Sequence, residues 1–439
     1  MASQMIRPAP HLSDSTSSPP VQTCWNVATR IAFRFFFVYF VLLCIDIVSV
    51  LISISTYFLT GKLHMEWLSL LWRGIVPWFG RHVLLLHQPI AAGHGDNIFD
   101  WTQLVFLLLF AAVVTAIWSV LDRKRTNYAK LYEWLRVVVR LSLAGALIVY
   151  GVDKIYPLQF GAVTLSRLAT RVGNLDPESM LWMFMAASTG YTIFSGLGEL
   201  IGAVLLIVPR TANVGAVVTI GVMANVFALN VFYDVPVKIY AANYLLMGLF
   251  LLAPELPRLT DVLLFNRATE AAVRPALFRS RRANRWSWMM QLLLGAFFLG
   301  INLYAARGNY VKRVQASAMR PPLYGIWAVN DFSAAGNPPA LSGEKRWQQL
   351  IFDRPGVVSI ESADGENHGF RLKLDSKQNT LVIVGPGKLP FHANLHFEQP
   401  QPPILVLDGT INGNPMHAVL HRIDETKFPL TNTGLHWIQ

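Results

Sequence analysis

Charge is what this 439-residue chain has least of. Asp, Glu, Lys and Arg make up 14% of it, against roughly 25% in an ordinary soluble domain. So little charge excludes a fold that meets water on every side. Cysteine is scarce too. Cys24 and Cys44 form no CxxC pair and no metal-ligand spacing, which excludes a disulfide framework and disfavours thiol exchange within the chain. Nucleotide and hydrolase signatures are also missing: there is no G-x-x-x-x-G-K-[ST], no dinucleotide fingerprint opening a helix, no H-E-x-x-H and no G-x-S-x-G. These absences disfavour an ATPase, a nicotinamide dehydrogenase and a zinc protease.

What the chain has instead is apolar runs. Phe35 to Leu59, Trp101 to Leu121 and Met180 to Val208 are long enough to cross a hydrocarbon core of about 30 Å. Ala212 to Phe232, Val237 to Leu256 and Trp286 to Tyr304 read the same way, and Leu135 to Val152 is a seventh, weaker run that contains Arg140. The basic excess lies among these runs. Residues 1–309 hold 25 Lys and Arg against 15 Asp and Glu, whereas residues 310–439 hold 12 against 11. Two loops are strongly basic, one from Asp122 to Lys130 and one holding Arg258, Arg267, Arg274, Arg279, Arg281, Arg282 and Arg285. Placing both in the cytoplasm requires the weak third run as a span, with the N-terminus inside and the C-terminus outside. Topology thus accounts for the basicity, and no nucleic-acid partner is implied; the partner is a lipid bilayer, expected to be the bacterial inner membrane.

The domain plan follows. Residues 1–30 are expected to be a disordered cytoplasmic tail with a Ser/Pro cluster rather than a signal peptide, because the apolar run behind is too long for a signal core. Residues 31–133 hold two accessory spans and an outer loop whose Trp-rich stretch, Trp67 to Leu86, suits the membrane interface. Residues 134–257 form a four-helix core, 258–285 a basic loop and 286–308 the seventh span. From 321 to 439 the period changes to two. Phe391, Ala393, Leu395 and Phe397 alternate with His392, Asn394, His396 and Glu398, while Asp364-Gly365 and Asn412-Gly413 are tight-hairpin dipeptides. About eight short strands predict an antiparallel β-barrel or sandwich, with Trp327 plugging one end.

Two resemblances enter here. Tyr324-Gly325-Ile326-Trp327 resembles the Gly-x-Trp opening of lipocalin-like barrels, and such a barrel holds a small apolar ligand or is filled by its own side chains. The helical core resembles the DoxX family of four-helix membrane proteins. The residues that carry this are Tyr150-Gly151-Val152-Asp153-Lys154, Gly196-Leu197-Gly198-Glu199-Leu200-Ile201-Gly202, Asp234-Val235-Pro236-Val237-Lys238 and Leu251-Leu252-Ala253-Pro254-Glu255. Gly95-Asp96, Asp100-Trp101 and Asp122-Arg123-Lys124-Arg125 are similar to a longer bacterial subgroup with two preceding helices, a seventh helix and a C-terminal β domain. The resemblance implies a link with membrane redox systems such as thiosulfate:quinone oxidoreductase, hence a quinone- or lipid-facing component acting with a redox partner subunit. The chain itself has no flavin, haem or thiol signature.

Candidate site residues are the polar groups at membrane depth. Glu199 sits inside an apolar run, with Gly198 and Gly202 in a GxxxG spacing that lets a helix approach. A buried carboxylate needs a partner or a proton. Lys154 is the proposed partner, and Asn225, Asn230 and Asn243 offer further polar groups for a pocket that would take a quinone headgroup or a proton. The alternative is interhelical hydrogen bonding that only fixes packing. Asp46 is read as an accessory contact, and Asp96, Asp100, Asp234 and Lys238 as outer-face polar residues. No metal site is assigned. His64, His82, His87 and His94 share the outer loop, but His392/His396 and His417/His421 are spaced about 13 Å apart along a strand, too far to share one ion. The rival functions are a binding or transport protein with the β domain as receptor, and a scaffold without chemistry.

Overall fold

The computed structural model describes residues 24–60, 67–93, 95–270, 276–334, 346–363, 365–385 and 391–431. Among them, seven helical segments are long and apolar enough to cross a membrane, and eight strands close into a barrel. The chain is a multi-pass helical membrane protein with a C-terminal β-barrel. The helices are α1 (Val27–Thr60), α2 (Trp67–His82), α3 (Ile98–Leu121), α4 (Ala129–Ile155), α5 (Leu165–Ala169) and α6 (Pro177–Ala187). They continue with α7 (Thr189–Ile207), α8 (Ala212–Phe232), α9 (Lys238–Leu252), α10 (Leu256–Leu263) and α11 (Arg281–Ala318).

Three boundaries differ from the apolar runs. The fourth run is not one helix. Ser188 leaves helical geometry between α6 and α7, and its hydroxyl accepts the Tyr191 amide at 3.3 Å. Thr192 donates its own hydroxyl back to the Met185 carbonyl at 2.6 Å. Small hydroxylated residues thus satisfy backbone groups freed by the break, which hydrocarbon alone could not do. At the start, α1 already includes Val27 to Arg30, the end of the expected tail; residues 1–23 lie outside the described residues. At the other end, α11 runs past Tyr304 to Ala318. Its 38 residues span about 57 Å at 1.5 Å each, well beyond the hydrocarbon core. The excess is a stalk that carries the barrel.

The core of the bundle gathers on α4, the most buried of the spans. At the end away from the barrel, Arg34 of α1 is buried and donates to the Tyr128 hydroxyl, to Ser119 Oγ and to the Asp122 carbonyl at 2.7–2.9 Å. Tyr128 in turn donates to Asp122 at 2.8 Å, which holds that carboxyl below its usual range. One guanidinium therefore ties α1 and α3 to the start of α4. The Trp-rich stretch forms α2, which packs on α3 through Val76, Phe79 and Phe99.

The strands are β1 (Gly325–Ala334), β2 (Trp347–Arg354), β3 (Val357–Ser362), β4 (Asn367–Asp375), β5 (Thr380–Val384), β6 (His392–Glu398), β7 (Ile404–Ile411) and β8 (Asn414–Ile423). Each pairs antiparallel with the next, and β8 returns to β1. Alternation decides what is inside: Ala393, Leu395 and Phe397 are buried while their neighbours on β6 are exposed. Asn412 and Gly413 both take positive φ, the mirror-image turn that joins β7 to β8. Asp364, of the other hairpin dipeptide, lies outside the described residues. The interior is filled by Trp327, Trp347, Phe352, Phe370, Phe391 and Phe397 with aliphatic neighbours. Trp327 is buried near one mouth, its indole donating to the Leu323 carbonyl at 2.8 Å. Among the described residues these side chains pack against one another inside the barrel, and a cleft of about 620 Å³ opens at the mouth beside Trp327, lined by Leu323, Tyr324, Pro402 and Arg422.

The barrel is seated on the loop after α4. Leu165 of α5 packs with Ile326 and Ile351 on the outer face of β1 and β2. Around that contact, Asn367 donates to Ser166 at 3.1 Å and Asn174 donates to the Gly365 carbonyl at 2.6 Å. Arg171 donates to Gln348 at 2.8 Å and lies 3.7 Å from Glu361. Burial pushes the Glu361 carboxyl up, and the Arg171 charge partly offsets that.

Candidate functional site in the helical core

The site begins with a contact between two glycines. A Cβ on Gly151 of α4 would lie 2.9 Å from the Gly196 carbonyl of α7, and one on Gly196 would lie 2.7 Å from both the Gly151 carbonyl and Lys154 Cβ. Only glycine lets these backbones meet so closely. The GxxxG pair is less central than its spacing implies: Gly202 faces Thr219 of α8, and Gly198 meets only Val222 at 3.4 Å. Gly196, outside that pair, makes the α4 contact.

One turn along each helix from the contact, Lys154 Nζ lies 2.5 Å from Glu199 Oε1, with both side chains buried. An ion pair this deep is held by geometry on both sides, because either charge alone would be severely desolvated. Glu199 Oε2 is buried and accepts no hydrogen bond from any described residue. The pair borders a cavity of about 90 Å³ between α4, α7, α8 and α9, roofed by α6 and the turn at Gln159 and Phe160. At roughly 10–15 Å³ per water position, that space admits a few waters or the polar end of a small molecule. Its wall is aromatic, with Tyr150, Trp182, Tyr191, Tyr240 and Tyr244 beside Phe160. Gln159 Oε1, a second buried oxygen of a lining residue, also lacks a donor among the described residues.

The structure sorts the sequence candidates. Lys154, Glu199, Asn225 and Asn230 line this cavity, and Asn230 donates to the Val237 carbonyl at 3.3 Å. Asn243 is not at the cavity. It faces α1, accepting from the Tyr39 hydroxyl at 2.5 Å and donating to Ile239, so it joins an accessory helix to the core. Asp46 likewise accepts from the Trp72 indole at 3.0 Å. The outer-face residues build a turn. Asp96 accepts the Lys238 and Ile239 amides, capping α9, where a helix N-terminus favours negative charge. Gly95 has φ +83 and packs on Pro236. Asp100 closes a capping box with Asn97 at the head of α3. Asp234 pairs with Lys238 at 2.7 Å on the surface. Among the described residues, no group of three or more His, Cys, Asp or Glu side chains could hold a metal; His64 and His94 lie outside them. His417 pairs with Asp408 and His421 with Asn330, both at 2.6 Å.

The chain is 36% identical over 113 residues to the uncharacterized protein YwoB of Bacillus subtilis (strain 168), a match that covers 26% of this chain and 71% of that protein. The chain belongs to the YwoB family. No protein-family model and no solved structure matches it. The relative's description states no activity, so the chemistry of the site is argued from its own residues.

Sequence reading missed the aromatic wall and Gln159. Tyr240 and Tyr244 are one turn apart on α9 and both line the cavity, a pairing that a mostly apolar helix does not single out in sequence. The glycine contact supplies the test. Gly151→Ala or Gly196→Ala should each lower stability by about 1–3 kcal/mol, as overpacking does, while Gly198→Ala should stay within about 0.5 kcal/mol. Thermal unfolding in detergent reads this, and equal effects at all three positions would contradict the assigned contact.

Proposed function

We propose that this chain is a DoxX-like component of a bacterial membrane redox system, whose helical core binds the headgroup of a quinol or quinone beside Lys154 and Glu199. The observation that carries this reading is the pair of buried acceptor oxygens, Glu199 Oε2 and Gln159 Oε1, on residues that line the same cavity without a donor. Unsatisfied buried acceptors are unfavourable, and a molecule bringing hydroxyl donors into the cavity would satisfy them. A quinol has two such hydroxyls on a flat ring, which suits an aromatic wall. Lys154 offers the complementary donor to a quinone carbonyl. Oxidation of a quinol releases two protons and two electrons; in this reading Glu199 takes one proton, the second passes to water, and both electrons pass to the partner redox subunit, which is the oxidant. In this reading Asn225 and Asn230 orient the ring substituents.

A transport role is the second reading, favoured by the interruption at Ser188. Discontinuous helices border substrate sites in many transporters, and here the two helices on either side of the break both line the cavity, through Met185 of α6 and Tyr191 of α7. Under either reading the basic loops and the N-terminus face the cytoplasm, with the barrel outside. A topology reporter fused after Gln439 is expected to be active only outside, and one near Arg281 only inside. Activity of both on one side would overturn that orientation.

The ligand reading is tested by mass spectrometry and absorbance of the purified protein, looking for co-purifying quinone. Glu199→Gln keeps the size and most hydrogen-bonding capacity but cannot ionise. It is expected to fold with a lowered melting temperature, because Lys154 loses its counter-charge, while quinone retention or coupled activity, read well below that temperature, falls by about tenfold, and Lys154→Met should do the same to retention. A Gln variant equal to wild type in ligand content and activity would leave the pair as packing alone.

A further inference from the structure

Helices α7 and α8 run antiparallel and part as they approach the barrel. Near the far end they touch: a Cβ on Gly215 of α8 would lie 2.7 Å from the Leu206 amide nitrogen. Further along, a Cβ on Gly202 would meet Thr219 Oγ1 at 2.9 Å, and one on Gly198 meets only Val222, at 3.4 Å. One turn beyond that, Ser195 of α7 and Asn225 of α8 both line the cavity beside Lys154 and Glu199. On its barrel side the same cavity is roofed, and there the Phe160 and Trp182 rings meet edge to face at 5.1 Å.

Residues at this gap face two ways. Tyr191 and Asn225 line the cavity, yet both are exposed. Phe194 and Leu197, beside them on α7, are exposed and apolar, so this flank belongs to the surface that meets lipid. Asn225 lies two turns before the end of α8, about 10 Å in from Phe232. An amide at that depth has no bulk water to bond, and its side chain makes no hydrogen bond to any described residue. An amide that only fixes packing has a partner, as Asn230 has in the Val237 carbonyl. The cavity, about 90 Å³, takes the polar end of a molecule and leaves any long apolar remainder outside.

We infer that the cavity is filled sideways from the bilayer, through the gap between α7 and α8, by an amphiphile whose compact polar head is bound by Asn225 while its apolar chain stays in hydrocarbon. This rests on the reading of the cavity as a ligand site and narrows it to a membrane-dissolved substrate. A long-chain quinone meets that description, and a water-borne substrate does not.

The test uses full-length protein in lipid nanodiscs, with decylubiquinone as the probe. Ser195→Cys and Leu229→Cys place one thiol on each side of the gap. With exposed Cys24 changed to Ser and Cys44 buried, these two are joined by a short bis-methanethiosulfonate linker that dithiothreitol removes. The bridge is expected to slow decylubiquinone exchange by about tenfold or more, and its removal to restore the rate. Equal exchange with and without the bridge overturns the inference, because the ligand then arrives by another way. Asn225→Leu needs no bridge. It is expected to lower decylubiquinone retention by about tenfold without lowering the melting temperature, since a lipid-facing amide is lost. Unchanged retention overturns the role of Asn225. If wild-type protein binds no decylubiquinone, the quinone reading falls and the route is read separately. The bilayer-dissolved photoreagent trifluoromethylphenyl diazirine should then label Tyr244, buried on the cavity wall, and label it less once the bridge is on. Labelling that is absent, or that the bridge leaves unchanged, overturns the route.

Discussion

A lysine and a glutamate 2.5 Å apart, both shielded from water, are the constraint around which the helical core is arranged. Neither charge is tolerable alone in that setting, and breaking such a pair from one side is worth about 3–5 kcal/mol. The pair can form only because Gly151 and Gly196 bring α4 and α7 into backbone contact one turn away. That same contact makes α4 the hub: α1, α7, α9 and α11 all pack against it. A polar cavity follows as a consequence. Glu199 engages Lys154 through one oxygen, and the other is left among residues that line open space.

The loop from Tyr156 to Asp176 connects that cavity to the rest of the molecule. Its first residues, Gln159 and Phe160, roof the cavity. Its middle, Leu165 to Asn174, carries the barrel through one apolar contact and several hydrogen bonds. Arg313 on the stalk of α11 donates to the Leu158 carbonyl at 2.7 Å, so the loop is held from a third side. The filled barrel and the aromatic cavity are thus parts of one structure.

Much of this was legible in residue order, and the failures share a cause. Seven spans followed from apolar length, with the basic loops requiring the third, and the barrel followed from alternation such as that of β6. Lys154 and Glu199 stood out because a charge in hydrocarbon demands an explanation. What could not be read is direction within an apolar helix. Asn243 looks like Asn230 in sequence, yet one meets Tyr39 and the other lines the cavity, because α9 has no polar stripe to show which face is inside. Gly198 and Gly202 carry the familiar spacing, while Gly196 makes the contact. The break at Ser188 was hidden because Ala186 to Gly190 is small and only mildly polar, and an average over the run does not register a local change in hydrogen bonding. Whether a barrel is hollow or filled depends on packing volume, which alternation does not report.

A double-mutant cycle on the buried pair tests this account most directly. Lys154→Met and Glu199→Leu each leave one charge buried without its partner, and the double variant leaves none. The account predicts that each single change lowers unfolding stability in detergent by about 3–5 kcal/mol while the double change recovers most of the loss. Additive losses, with the double variant as weak as the sum of the two, would mean that Lys154 and Glu199 do not depend on each other.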